Sequence, residues 1–172
     1  MLSRSAAINN IASISGIVMA ATGTGGSNVS GNTIFNLTNT NITAAGWING
    51  MYFATPALPQ PQTIISKNFI HSINLASSIA GAGMAGIFMP NAGISQINNN
   101  MVRLGYDASG ASITNGLQIN GIWKAATGTS SIYFNTVYIG GTGVTSGTIN
   151  SYAFTRSRSE ERRVGERVCY PV

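Results

Sequence analysis

Apolar positions along this chain recur in two short phrases that alternate at a near-constant interval. One runs Ile14-Ser-Gly16-Ile17, Ile48-Asn-Gly50-Met51, Met84-Ala-Gly86-Ile87 and Ile119-Asn-Gly121-Ile122. The other runs Asn32-Thr-Ile34, Asn68-Phe-Ile70, Asn100-Met-Val102 and Asn135-Thr-Val137, each closing on Leu37, Ile73, Leu104 or Ile139. The glycines lie 34, 36 and 35 residues apart, and the asparagines 36, 32 and 35. A fixed period of this length is the mark of a stacked repeat, in which each unit buries its apolar face only against its neighbours. The phrases are β-branched and aromatic runs bounded by Gly, Thr and Ser clusters, so they predict strands; Tyr133 to Ile139 and Gly121 to Lys124 are the clearest. No window of 11 or more residues carries a 3.6-residue apolar period with caps, so helices should be scarce.

Strands at a fixed repeat without helical crossovers predict an all-β chain wound as a right-handed parallel β-helix. About 35 residues form one coil, four to five coils stack, and a third strand per coil is expected over 42–48 and 113–119. A fifth copy begins at Ile149-Asn-Ser-Tyr152. At about 4.8 Å per stacked strand the body spans roughly 20–25 Å. Ile, Val and Leu point inward. The asparagines recur at one bend, where stacked amides can pair from coil to coil as in cross-β structures, or serve as plain turn residues tolerating a left-handed backbone. Gly16, Gly50, Gly86 and Gly121 with Asn32, Asn68, Asn100 and Asn135 are therefore structural repeat positions.

Charge changes the picture at one end only. Eight of the 13 charged residues lie in the last 17 positions, from Arg156 to Arg167, whereas the first 155 hold Arg4, Lys67, Arg103, Lys124 and Asp107 alone. The net +5 is thus no basic footprint, and nucleic acid is excluded as a partner. An apolar fraction of 44% argues against disorder in the body. The single cysteine, Cys169, falls in the tail, which leaves no disulfide or cysteine metal site in the body. Residues 73–89 are uncharged, but their Gly, Ser and Asn and their place in the repeat argue against a membrane span. No signal peptide is legible.

Catalytic chemistry is hard to assemble here. Gly81-Ala-Gly-Met-Ala-Gly86 has the spacing of a dinucleotide fingerprint, but Pro90 follows closely and Gly86 belongs to the repeating strand phrase, so it is a repeat turn. Glycoside hydrolysis needs two carboxylates and a calcium cage needs several; Asp107 is one, and is expected in a turn. His71 and Asp107 lack a nucleophile elbow to complete a triad, and His71 is expected on the surface. No catalytic residue, metal or cofactor is expected. Asn28, Asn36 and Asn41 match the glycosylation pattern, as chance allows in so Asn-rich a chain. Among Trp47, Tyr52, Phe53, Trp123, Tyr133, Tyr138 and Tyr152, most should fill or cover the core. Trp123, Tyr133 and Tyr138 are the candidates for a sugar-binding stripe.

Ile65-Ser-Lys-Asn-Phe-Ile-His-Ser72, Asn99-Asn-Met-Val-Arg-Leu-Gly105, Gly121-Ile-Trp123, and Tyr133 to Gly141 followed by Ser151-Tyr-Ala-Phe154 resemble the β-strand repeats of very long bacterial surface proteins. Those are commonly exported by the type IX route and end in a sorting domain. The resemblance implies a secreted or cell-surface β-helix, similar in shape to the pectin-lyase-like fold. It implies a structural or adhesive segment without catalysis, continuous with the rest of its own solenoid, whose partners are polysaccharide or host and cell-surface glycans. The alternative is a fragment of a polysaccharide-binding or lyase-like β-helix with its active site elsewhere. Residues 1–155 form this repeat segment. The tail, 156–172, breaks every trend, and residues 158–169 resemble a translated sequencing-library adapter, which implies a non-native, disordered end.

Overall fold

A computed structural model describes residues 14–20, 26–54, 62–91, 93–144 and 151–156. The first coil contains β1 (Ile14–Met19), β2 (Asn28–Ser30), β3 (Thr33–Ile34) and β4 (Leu37–Asn39). The second contains β5 (Trp47–Phe53), β6 (Thr63–Ser66), β7 (Phe69–His71) and β8 (Ile73–Leu75). The third has β9 (Gly83–Met89), β10 (Ser95–Asn98) and β11 (Met101–Leu104), and the fourth β12 (Gln118–Lys124), β13 (Ser130–Tyr133) and β14 (Thr136–Ile139). A 3₁₀ turn follows at Thr142–Val144, and β15 (Tyr152–Arg156) starts a fifth coil. Equivalent strands stack in parallel into one sheet of order β1-β5-β9-β12-β15, a second of β13-β10-β6-β2, a third of β14-β11-β7-β3, and a short pair β4-β8. The chain is a β-solenoid of about four coils.

The third sheet face is not where the sequence placed it. Residues 42–46 and 113–117 are loop, although Ile113 and Leu117 still reach the core. The extra strands β2, β6, β10 and β13 instead precede each asparagine. The run from Tyr133 to Ile139 is accordingly two strands broken at Phe134, whose φ is 54°. The same left-handed corner recurs at Gly31, Lys67 and Asn99, one residue before each ladder asparagine. It turns the chain from the second sheet into the third.

Those asparagines form a ladder. The side-chain amide of Asn32 donates to Asn68 Oδ1 at 3.0 Å, Asn68 to Asn100 at 2.9 Å, and Asn100 to Asn135 at 2.9 Å. Each acceptor also takes the preceding asparagine's backbone N–H, at 3.0, 3.1 and 3.0 Å. The second amide proton of Asn68, Asn100 and Asn135 reaches the carbonyl of Val29, Ile65 and Ile97. Asn68 and Asn100 are buried, and this bonding meets the requirement that buried amides be paired.

In the first sheet, alternation breaks at each glycine. Ile48, Met51 and Phe53 point into the core while Tyr52 joins an outer cluster, so Gly50 fills an inward place between Asn49 and Met51. A β-carbon there would meet Ile70 Cγ2 and lie 2.7 Å from the Gly86 carbonyl oxygen; on Gly16 it would lie 2.6 Å from Ile34 Cγ2 and 2.7 Å from Gly50 O. The β-branched residue of each asparagine phrase thus packs into the space the glycine leaves. Lys124 occupies the inward row of Met89 and Phe53, is fully buried, and donates from Nζ to the Asn91 carbonyl. Among the described residues no helix is long and apolar enough to cross a membrane. The proposed tail lies outside the described residues except for Arg156, which pairs with Lys124 in the sheet.

Candidate functional site

Two outer faces carry the chemistry of this solenoid. On the first sheet, outward positions form rows: Trp47, Gly83 and Gln118; Ser15, Asn49, Ala85 and Asn120; and Val18, Tyr52, Phe88, Trp123 and Thr155, read from registers across consecutive strands. Trp47 crosses these rows. Its six-membered ring lies where Gly83 lacks a β-carbon, with Cη2 and Cζ2 at 2.7 and 2.8 Å from that position. It also approaches Phe88 at 6.4 Å and Trp123, two coils from its own, at 4.9 Å between ring centroids. Phe88 stacks on Trp123 at 4.4 Å and meets the edge of Tyr52 at 5.5 Å. The indole therefore spans the face that carries Ala85, which explains how outward residues are buried: Asn49, Ala85 and Asn120 are each 0% exposed and Trp47 8%. Burial also raises the Tyr52 hydroxyl above its ordinary pKa.

The middle row is an interrupted amide ladder. Asn49 Nδ2 donates to Ser15 Oγ at 3.4 Å, and Asn120 Oδ1 accepts from Thr155 Oγ1 at 2.8 Å. Asn49 Oδ1 and Asn120 Nδ2, the two buried side-chain polar atoms without a partner among the described residues, flank Ala85. Each such group costs about 1–3 kcal/mol when unpaired. One is an acceptor and the other a donor.

The outer face of the third sheet is a mixed stripe. Phe35, His71, Arg103 and Tyr138 follow one another coil by coil. His71 lies 5.5 Å from Phe35 and 4.4 Å from Phe69, with interplanar angles of 10° and 30°. Arg103 sits 4.6 Å over Tyr106, which stacks on Tyr138 at 6.2 Å. These rings use their faces on one another. Burial, then the Arg103 charge, lowers the His71 pKa; the Tyr106 hydroxyl raises that of Tyr138. Asp107 closes an Asx turn, accepting from Ser109 N, Ser109 Oγ and Ala111 N, and the Ser109 hydroxyl leads the lowering of its pKa.

The three residues singled out for a sugar stripe are not brought together. Trp123 is on the first sheet, Tyr133 on the second, where its hydroxyl meets Gln96 and Asn98, and Tyr138 on the third. Phe53 is in the core, whereas Tyr133, Tyr138 and Tyr152 are exposed. Sequence reasoning passed over Asn49 and Asn120. The signal was present, since Ile-Asn-Gly occurs in the second and fourth coils, but strand alternation marks these amides as outward and does not show that they are buried. Among the described residues no three of His, Cys, Asp and Glu group as metal ligands would. Comparison with protein-family models, with curated proteins and with solved structures finds no match to this chain.

Proposed function

We propose that the chain is a structural and adhesive repeat segment of a large secreted or cell-surface bacterial protein, without catalysis of its own, exported by the type IX route. The observation that carries this is the four-asparagine row. Its bonds hold successive coils in register, as a load-transmitting stalk requires, and the rings of the third sheet likewise stack on one another. Displaying the full chain on cells that lack adhesins should increase their attachment to glycan-coated surfaces; attachment equal to that of the display scaffold alone would overturn the adhesive half.

A second reading, a polysaccharide-binding surface, is favoured by one feature, the Trp47–Phe88–Trp123 face with its unmet amides.

A further inference from the structure

We infer that the outer face of the first sheet is a binding site for the acetamido group of an N-acetylated sugar, seated over Ala85 between Asn49 and Asn120. The inference rests on, and sharpens, the polysaccharide-binding reading above. Asn49 Oδ1 lacks a donor and Asn120 Nδ2 lacks an acceptor, and both side chains are fully buried. The two strands stand two spacings apart, roughly 9.6 Å, with the third-coil strand between them presenting only a methyl group at Ala85. The third coil is therefore the gap between the two amides of the row.

A trans secondary amide points its N–H and its C=O in opposite directions, as this position demands. Its N–H donates to Asn49 Oδ1, and its carbonyl accepts from Asn120 Nδ2. The acetyl methyl then meets Ala85 and Phe88, which belong to the apolar outer cluster. Above the slot lies Trp47, and beside it Trp123; once the Trp47 indole swings aside, both offer faces for a pyranose ring to stack on. A hydroxyl also donates and accepts, but through one oxygen, which cannot reach both partners across two strand spacings as the separate nitrogen and oxygen of an amide can, so glucose-type sugars lack the deciding contact. A peptide bond has the same donor and acceptor, but a chain continuing at both ends has no exit past Ala85 and Phe88. A terminal acetamide needs none.

The chain holds two tryptophans, and both are in this site, so intrinsic fluorescence reports on it directly. Titrating the full chain with N-acetylglucosamine oligomers should shift the emission with a Kd on the order of 1 mM or tighter. Glucose oligomers of equal length and a trialanine peptide should not. Ala85→Asn places the missing amide in the row: its denaturation midpoint should rise while N-acetylglucosamine affinity falls at least tenfold. Because that variant is expected to fold better, loss of binding cannot be put down to unfolding; Ala85→Ser, which keeps the slot partly open, should bind with intermediate affinity. Equal response to glucose oligomers would overturn the acetamido assignment while leaving a carbohydrate surface. A response to trialanine alone would replace the ligand by peptide. No response to any sugar, or unchanged binding by Ala85→Asn, would overturn the site.

Discussion

Gly86 lies against Val102 so closely that a β-carbon on the glycine would fall on Val102 Cγ1 and 2.6 Å from the carbonyl oxygen of Gly121 in the next coil. A side chain can turn away, but a carbonyl held in a parallel sheet cannot. Gly86→Ala should therefore cost about 3 kcal/mol or more in a denaturant titration. Adding Val102→Ala should recover only part of the loss, because the Gly121 oxygen stays in place; full recovery would show that the carbonyl contact does not matter.

Asn100, like Asn68, is a buried rung with ladder neighbours on both sides. Its side chain accepts from Asn68 twice and donates to Asn135 and Ile65. Asn100→Ala leaves buried donors and acceptors unmet on both sides and should cost about 2–4 kcal/mol. Asn100→Asp keeps the acceptor, loses both donated bonds and adds a buried charge, so it should be at least as destabilising at pH 7. Equal stability of wild type and Asn100→Ala would mean that the row carries no net energy.

Lys124 is a cation in an apolar row, and burial, followed by the Arg156 charge, lowers its pKa. The folded chain thus releases this proton at lower pH than the unfolded chain does. Between the lowered pKa and the ordinary value of 10.5, the unfolded state holds more protons, so stability rises with pH through that window and is lower below it. Lys124→Met, matching its neighbour Met89, should remove this dependence and stabilise the chain by about 1–3 kcal/mol at pH 7. Denaturant midpoints measured across the alkaline range check both statements, and a destabilised Lys124→Met would contradict them.

Gly83 gives Trp47 its resting place. Gly83→Ala puts a methyl group 2.7 Å from Trp47 Cη2, and the displaced indole should move into water. Tryptophan emission should shift to the red, with a stability loss of about 1–2 kcal/mol, since the nearest obstacle is the end of a movable side chain and the Gln118 carbonyl oxygen lies farther off, at 3.0 Å. An unchanged spectrum would place the indole elsewhere.

The period, the parallel solenoid and the asparagine row were legible in the sequence because each rests on a residue type that nothing else replaces. Only glycine fits beneath Ile34, Ile70, Val102 or Val137, and an amide gives from one atom and accepts at another, so that it can continue a row along the axis. The break at Phe134 was not legible. A left-handed φ at phenylalanine runs against its local preference, and it is imposed by Asn135 having to reach Asn100 and Ile97. The second sheet was missed for the same reason, since its strands are defined by that corner. The face over Ala85 was hidden for a different one: period-2 alternation marks Asn49 and Asn120 as outward, and outward normally means wet. Here they lie on the face that Trp47, Phe88 and Trp123 cover with stacked rings, and both are buried.

The inner ladder also has a direction. Every amide in it points its nitrogen toward the fourth coil and its oxygen toward the first. Aligned amide dipoles add, as peptide dipoles do along a helix. The solenoid therefore has an electrical axis built from uncharged side chains, positive toward Asn135 and negative toward Asn32. A further asparagine stacked on this row would have to keep the same orientation to extend it.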